Sequence, residues 1–204
     1  MTDEQTLGLR ERKKLDTRKA LSDAALYLMF ERGLENVIRE DIAARAGVSV
    51  RTFNNYFSSK YEALAYRQIE RVRRGAELLL TRPSSEPFWT ALTEAMIEPL
   101  TDDGVNHNNL PTAAQLAETR KLAAAPEMYA SVATTVGTVL EAAVAERTGT
   151  AVGELYPKLV AAAVNAAYVT AIDIYTHADP PEPIVPLLRR ALAELARGLP
   201  DPSA

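Results

Sequence analysis

The run DIAARAGVSVRTFNNYFSSK, Asp41–Lys60, leaves little freedom in how this chain folds. Ile42, Ala43 and Ala46 fall at i, i+1 and i+4 and give one apolar helical face. Ala43 is small, as a position must be where two helices cross closely. Gly47 follows the last periodic residue and can take the positive φ that ends a helix at low strain. Val48 is apolar inside the turn, and Ser49 is a good N-cap for a second helix. Phe53 and Phe57, four residues apart, form that helix's buried face. The pattern predicts two short helices joined by a tight turn.

Val50, Arg51, Thr52, Asn54, Asn55 and Tyr56 are left on the other sides of the second helix. Arginine can pair with guanine, and asparagine with adenine, through two hydrogen bonds in the major groove of DNA. Thr52, Tyr56 and Lys60 suit phosphate contacts, which set position rather than sequence preference. A polar surface hairpin without a DNA role would share the turn, so the turn alone leaves both readings open.

The longer string separates them. ALYLMFERGLENV followed by DIAARAGVSVRTFNNYFSSKYEAL resembles the N-terminal domain of TetR-family transcriptional regulators over residues 12–64. The resemblance implies a three-helix DNA-binding head, a larger helical effector-binding body, a homodimer, and repression relieved by a small ligand. By position it implies base contacts from Val50, Arg51 and Asn55, and phosphate contacts from Thr52, Tyr56 and Lys60. Three residues depart from the family pattern. Ile38 stands where Thr usually caps the second helix and touches the DNA backbone, and isoleucine cannot cap. Arg39 replaces an apolar residue or Thr and offers a phosphate contact instead. Asn54 stands where an aromatic is frequent, which points to a different operator preference. With Ser49 as cap, these residues form the expected DNA surface.

Composition agrees with an all-α fold. Of the 204 residues 47% are hydrophobic, so the chain can bury a real core, and no Val/Ile/Thr run alternates over a strand length. Cysteine is absent, which excludes disulfides, thiolate metal sites and cysteine nucleophiles. The start MTDEQTLGLRERKK has no apolar signal core, and no uninterrupted run of about 18 apolar residues appears. A cytoplasmic protein without a membrane span is expected. The net charge of −4 divides unevenly: residues 1–75 carry +4 and residues 76–204 carry −8. A basic head on an acidic body is the asymmetry expected if only the head meets phosphate. Arg10, Arg12, Lys13, Lys14, Arg18 and Lys19 add a basic approach, and the first ten or so residues are expected to be mobile.

Periodicity and breakers predict about nine helices in two domains, residues 1–59 and 60–204. After the head, helices are expected near 60–80, 87–100, 111–124, 126–147, 154–177 and 184–198, with RPSSEP, GTAVG and DPPEP as connectors and LPDPSA as a disordered tail. The last two helices are the expected dimer surface. Leu159, Ala162, Ala163, Ala166, Ala167 and Thr170 line one side of the eighth, and Leu187, Leu188, Ala191, Leu192 and Leu195 line the ninth. Two such pairs make a four-helix interface.

The body resembles, weakly, TetR-family bodies that bind acyl-CoA-like ligands. Trp89, Met96, Leu116, Met128, Tyr129, Asn165 and Tyr168 mix apolar bulk with polar handles, as ligand pockets do, and core packing explains each equally. Asn165 and Asp173 are polar in a mostly apolar helix and would need partners if buried. Arg120 or Lys121 could meet an anionic head group. His107 with Asp102 and Asp103 lacks a metal-ligand spacing, the nine glycines are too scattered for a phosphate cradle, and no catalytic constellation is visible, so no cofactor, metal or enzymatic activity is expected. The expected protein is a homodimeric regulator that binds a palindromic double-stranded DNA operator and is released from it by a small molecule. An architectural DNA binder, and a helical ligand- or partner-binding protein without DNA readout, are the alternatives.

Overall fold

The computed structural model describes residues 8–103 and 110–201, so His107 and parts of both expected mobile termini lie outside the described residues. Among the described residues there are nine α-helices and no strand: α1 Leu9–Arg32, α2 Arg39–Arg45, α3 Val50–Tyr56, α4 Lys60–Thr81, α5 Phe88–Asp102, α6 Ala113–Ala124, α7 Pro126–Thr148, α8 Leu155–His177 and α9 Ile184–Ala196. Two compact units form, one from residues 1–67 with 124–131 and one from 68–123 with 132–204. The division falls inside α4, after the start of that helix at which the expected boundary was drawn.

The first unit is built on α1. Leu21, Ala24, Ala25, Leu28 and Met29 are its buried stripe, and Gly33 ends it at φ 86° with its N–H on the Met29 carbonyl. A short 3-10 turn, Leu34–Asn36, follows, and Leu34 and Val37 turn inward. Ile42, Ala43, Phe53 and Phe57 close the small core around them. The Phe57 ring meets Phe53 at 5.9 Å and Tyr66 of α4 at 5.7 Å, in tilted and edge-on arrangements that favour aromatic pairs. Ser59 caps α4 by accepting from the Glu62 N–H, while the Glu62 carboxylate accepts from Ser58.

The second unit packs α5 and α9 against α4, α7 and α8. Leu92, Met96, Leu140, Val164, Leu188 and Leu192 are its sealed centre. The α9 stripe expected at a dimer surface is therefore used inside the subunit: Leu187, Leu188 and Leu192 are buried against α5 and α8, and Ala191 and Leu195 pack on the same core. The α8 stripe divides. Ala167 is buried, whereas Leu159, Ala162, Ala166 and Thr170 are exposed. Both α7 and α8 are long and apolar enough to cross a membrane by length and composition, because alanine and valine fill the gaps between their polar residues. The core helix of a soluble protein passes the same test.

The α4–α5 crossing is unusually close. A Cβ on Gly75 would lie 2.4 Å from the Met96 Cε and 2.9 Å from the Ala95 carbonyl oxygen. Pro99 lies inside α5, four residues after Ala95, so that carbonyl lacks its helical N–H donor. Met96 carries its own second bond, accepting from the Tyr168 hydroxyl at 3.2 Å. Beyond the crossing, Arg71 and Arg74 of α4 both hold Asp103, each at 2.8 Å, and Arg74 also donates to the Pro99 carbonyl at 3.0 Å. Burial pushes the Asp103 carboxyl up, but bonding and charge from Arg71 and then Arg74 outweigh it and hold it below the ordinary carboxylate value. At the other end of α4, Arg82 pairs with Glu86 at 2.6 and 2.7 Å, and Arg147 donates to the Arg82 and Pro83 carbonyls, which orders the RPSSEP connector.

Two outcomes follow from this crossing. Gly75→Ala should destabilise by about 1–3 kcal/mol through overpacking, and adding Met96→Ala should not restore the loss, because the Ala95 carbonyl remains in the way. Thermal unfolding of the single and double variants measures this. Asp103→Asn should lower the melting temperature at neutral pH. A lowered folded-state pKa gives stability that is present above the unfolded value and lost as pH falls through the folded one. The gap to wild type should therefore close in acid below about pH 4, the ordinary carboxylate range.

Candidate nucleic-acid interface

The helix–turn–helix is held by local chemistry. Gly47 takes φ 69°, and the Val48 N–H reaches back to the Ala43 carbonyl at 3.0 Å. Ser49 then caps α3, accepting from the Thr52 N–H at 3.0 Å and sharing a hydroxyl bond with Thr52 at 2.9 Å. Phe53 is 0% exposed, which fixes the rotation of α3. With Phe53 inside, Arg51, Asn54 and Asn55 are exposed and Val50, Thr52 and Tyr56 are half-buried. Arg51 has no side-chain partner among the described residues.

The neighbouring cations are tied down to different degrees. Arg39, the first residue of α2, donates to Asn54 Oδ1 at 3.4 Å, so two residues singled out separately in the sequence stand together on one surface. Ile38 precedes it, 49% exposed and without a side-chain cap, as its chemistry requires. Arg32 pairs with Asp41 at 3.1 Å, and Arg45 stacks its guanidinium over the Tyr27 ring, 3.2 Å from the centroid.

Lys60, expected to reach phosphate, is engaged inside the head instead. Its Nζ donates to the Leu34 carbonyl at 2.8 Å and the Val37 carbonyl at 3.1 Å. Composition gave no sign of this, but position did. A lysine at the first residue of α4 faces the positive end of the helix dipole, an unfavourable place unless carbonyls compensate. Lys60→Met should therefore lower stability by about 1–2 kcal/mol through the lost charged hydrogen bonds, as read by denaturant unfolding without DNA. Unchanged stability would return Lys60 to a purely external role.

The residues expected to line a ligand pocket do not share one surroundings. Met96 and Leu116 are buried, and Trp89, Asn165 and Tyr168 are half-buried, all in the second unit. Met128 and Tyr129 belong to the first unit, and Tyr129 is 59% exposed, too open for an enclosed pocket lining. Arg120, considered for an anionic head group, donates to the Thr176 carbonyl at the end of α8. Lys121 pairs with Glu118 at 2.8 Å. Among the described residues no cluster of His, Asp and Glu could hold a metal ion.

Two family models match the sequence: the bacterial regulatory proteins of the tetR family over residues 21–65, and the MftR C-terminal domain, a TetR-family body, over residues 86–200. Among curated proteins, none matches this sequence. Solved structures share the fold. FadR of Thermus thermophilus, a transcriptional repressor in complex with lauroyl-CoA, is 17% identical with a TM-score of 0.55, covering 92% of this chain and 97% of its own. SmeT, the repressor of the Stenotrophomonas maltophilia multidrug efflux pump SmeDEF, is 21% identical with a TM-score of 0.54, covering 93% and 96%. The fatty acid degradation regulator FadR of Bacillus halodurans is 17% identical with a TM-score of 0.54, covering 90% and 96%. TetR-family regulators bind operator DNA and small-molecule effectors and form dimers. With one model on the helix–turn–helix and another on more than half of the chain, this protein belongs to the TetR family of bacterial DNA-binding transcriptional regulators.

Proposed function

We propose that this protein is a cytoplasmic repressor that docks as a homodimer on a palindromic operator and leaves it when a small molecule binds the second unit. The observation that carries the reading is the exposed side of α3. Burial of Phe53 turns Arg51, Asn54 and Asn55 outward together, a set able to hydrogen-bond base edges. Val50, Arg51 and Asn55 act as base contacts. Ser49, Thr52, Tyr56 and Arg39 border them as candidates for the DNA backbone, and Lys60 positions α4 from within. Functionally the chain divides at α4: residues 1–59 dock, and 60–204 sense and dimerise.

Two heads related by a two-fold axis read two half-sites about 34 Å apart or a multiple of that distance. An effector changes the spacing of the heads only if it binds the undocked shape more tightly. About 1.4 kcal/mol of differential affinity gives tenfold in the conformational ratio. Trp89, Met96, Leu116, Asn165 and Tyr168 are the proposed effector surroundings. The lauroyl-CoA held by the Thermus thermophilus relative makes an acyl-CoA thioester the first effector to test.

Selection of bound sequences from random duplex DNA should return an inverted repeat. Uniform recovery of all sequences would favour architectural binding instead. Arg51→Ala should cost about 1–3 kcal/mol at one base position and leave the others alone, measured by binding across single-base operator variants. The uncapped α2 at Ile38 favours one competing reading, a helical sensor without DNA readout. Loss of all duplex binding at physiological salt would select it.

A further inference from the structure

We propose that α8 pairs with α8 of a second copy in one antiparallel register, set by Lys158 and Asp173 and centred between Asn165 and Ala166. This rests on the homodimer reading above. One face of α8 is locked into the subunit core through Val160, Ala161, Val164 and Ala171. The opposite face carries Leu155, Leu159, Ala162, Ala166 and Val169 at intervals of three and four, and all are exposed. Leu159 is 57% exposed and Val169 51%. The apolar stripe of α9 is used inside the subunit, and its outward Arg189 and Arg190 are paired with Glu94 and Glu182. The uncovered apolar surface of this helix pair therefore belongs to α8.

The charges on that face identify the occupant. Between Leu155 and Ile174 the chain has two charged residues, Lys158 and Asp173, of opposite sign and 15 residues apart. Lys158 has no ion-pair partner among the described residues. Asp173 is 74% exposed, with His177 beside it at 3.3 Å. A two-fold axis opposite the Asn165–Ala166 midpoint sets Lys158 against Asp173 of the partner subunit, and Asp173 against the partner subunit's Lys158. The same register sets Ala162 against Val169 of the partner subunit, and small side chains at the centre let the helix axes come close. A parallel pairing would oppose Lys158 to itself. A slip by two turns would part both charges from their opposites, setting Lys158 against the partner subunit's Ala166 in one direction and Asp173 against the partner subunit's Asn165 in the other, which is unfavourable. The stripe is thus complementary to its own two-fold copy, the requirement for an isologous interface.

The chain has no cysteine, so single thiols report the register directly. Ala166→Cys, beside the axis, should give a covalent dimer on mild oxidation of the full-length protein. Leu155→Cys should not, because its symmetry mate lies about 31 Å away along the helices at 1.5 Å per residue. A parallel seam would cross-link both, and a slipped seam or a different partner surface would leave Ala166→Cys uncrosslinked; either result overturns the proposal. Charge exchange gives the second measurement. By sedimentation at low salt, Lys158→Glu and Asp173→Lys should each weaken dimerisation about tenfold, because symmetry counts each like-charge contact twice. The double variant should return close to wild type. Singles without effect, or a double variant as weak as the singles, would overturn the register while leaving the dimer. A monomeric wild type at micromolar concentration would overturn the homodimer reading itself.

Discussion

The burial of one ring governs the outward chemistry of the head. A helix as short as α3 has little stability of its own and takes its rotation from what it buries. Phe53 is fully buried against Phe57, and Phe57 continues the same edge against Tyr66. Once those rings are inside, the residues between them have no freedom about which way they face. The Gly47 turn sets where α3 starts, the Ser49 cap sets its first residue, and the aromatic pair sets its phase. A polar side chain on α3 is thus positioned by apolar atoms that never meet DNA.

The second unit works under a different constraint. Its crossing of α4 with α5 is a backbone-to-backbone approach, made possible by the missing side chain of Gly75 and the open carbonyl before Pro99. Charged groups surround that approach rather than fill it: Arg71 and Arg74 with Asp103 beyond one end, Arg82 with Glu86 at the other. This part of α4 cannot slide on α5 without displacing the Met96 side chain and the Ala95 carbonyl that abut Gly75. A proposed effector signal that moves α4 would have to move this part of α5 as well.

Much of this was legible in the sequence, for identifiable reasons. The helix–turn–helix follows from local rules: periodicity, a left-handed glycine, a serine cap and two aromatics. Helix ends fell within a few residues because Gly33, Pro126 and the DPPEP connector punctuate them. What sequence could not resolve was which of two apolar faces a helix turns toward its own subunit. The stripe of α9 looked like a partner surface, and only packing against α5 and α8 shows it is internal. Side-chain pairing across distance was equally hidden. Lys60 with the carbonyls of Leu34 and Val37, or Arg120 with Thr176, joins residues that no spacing connects. The departures at Ile38 and Asn54 were visible, but not that Arg39 would stand between them.

The Arg39–Asn54 bond gives the Asn54 amide a direction. A guanidinium has protons to give and no lone pair to take one, so the atom of Asn54 turned toward it must be oxygen. The amide nitrogen then faces away, carrying two protons. In the unbound head, Arg51 and Asn54 thus both present hydrogen outward, and Asn55 is the exposed member of the trio whose oxygen stays uncommitted among the described residues. Donors turned outward are complementary to purine N7 and carbonyl oxygens rather than to exocyclic amines.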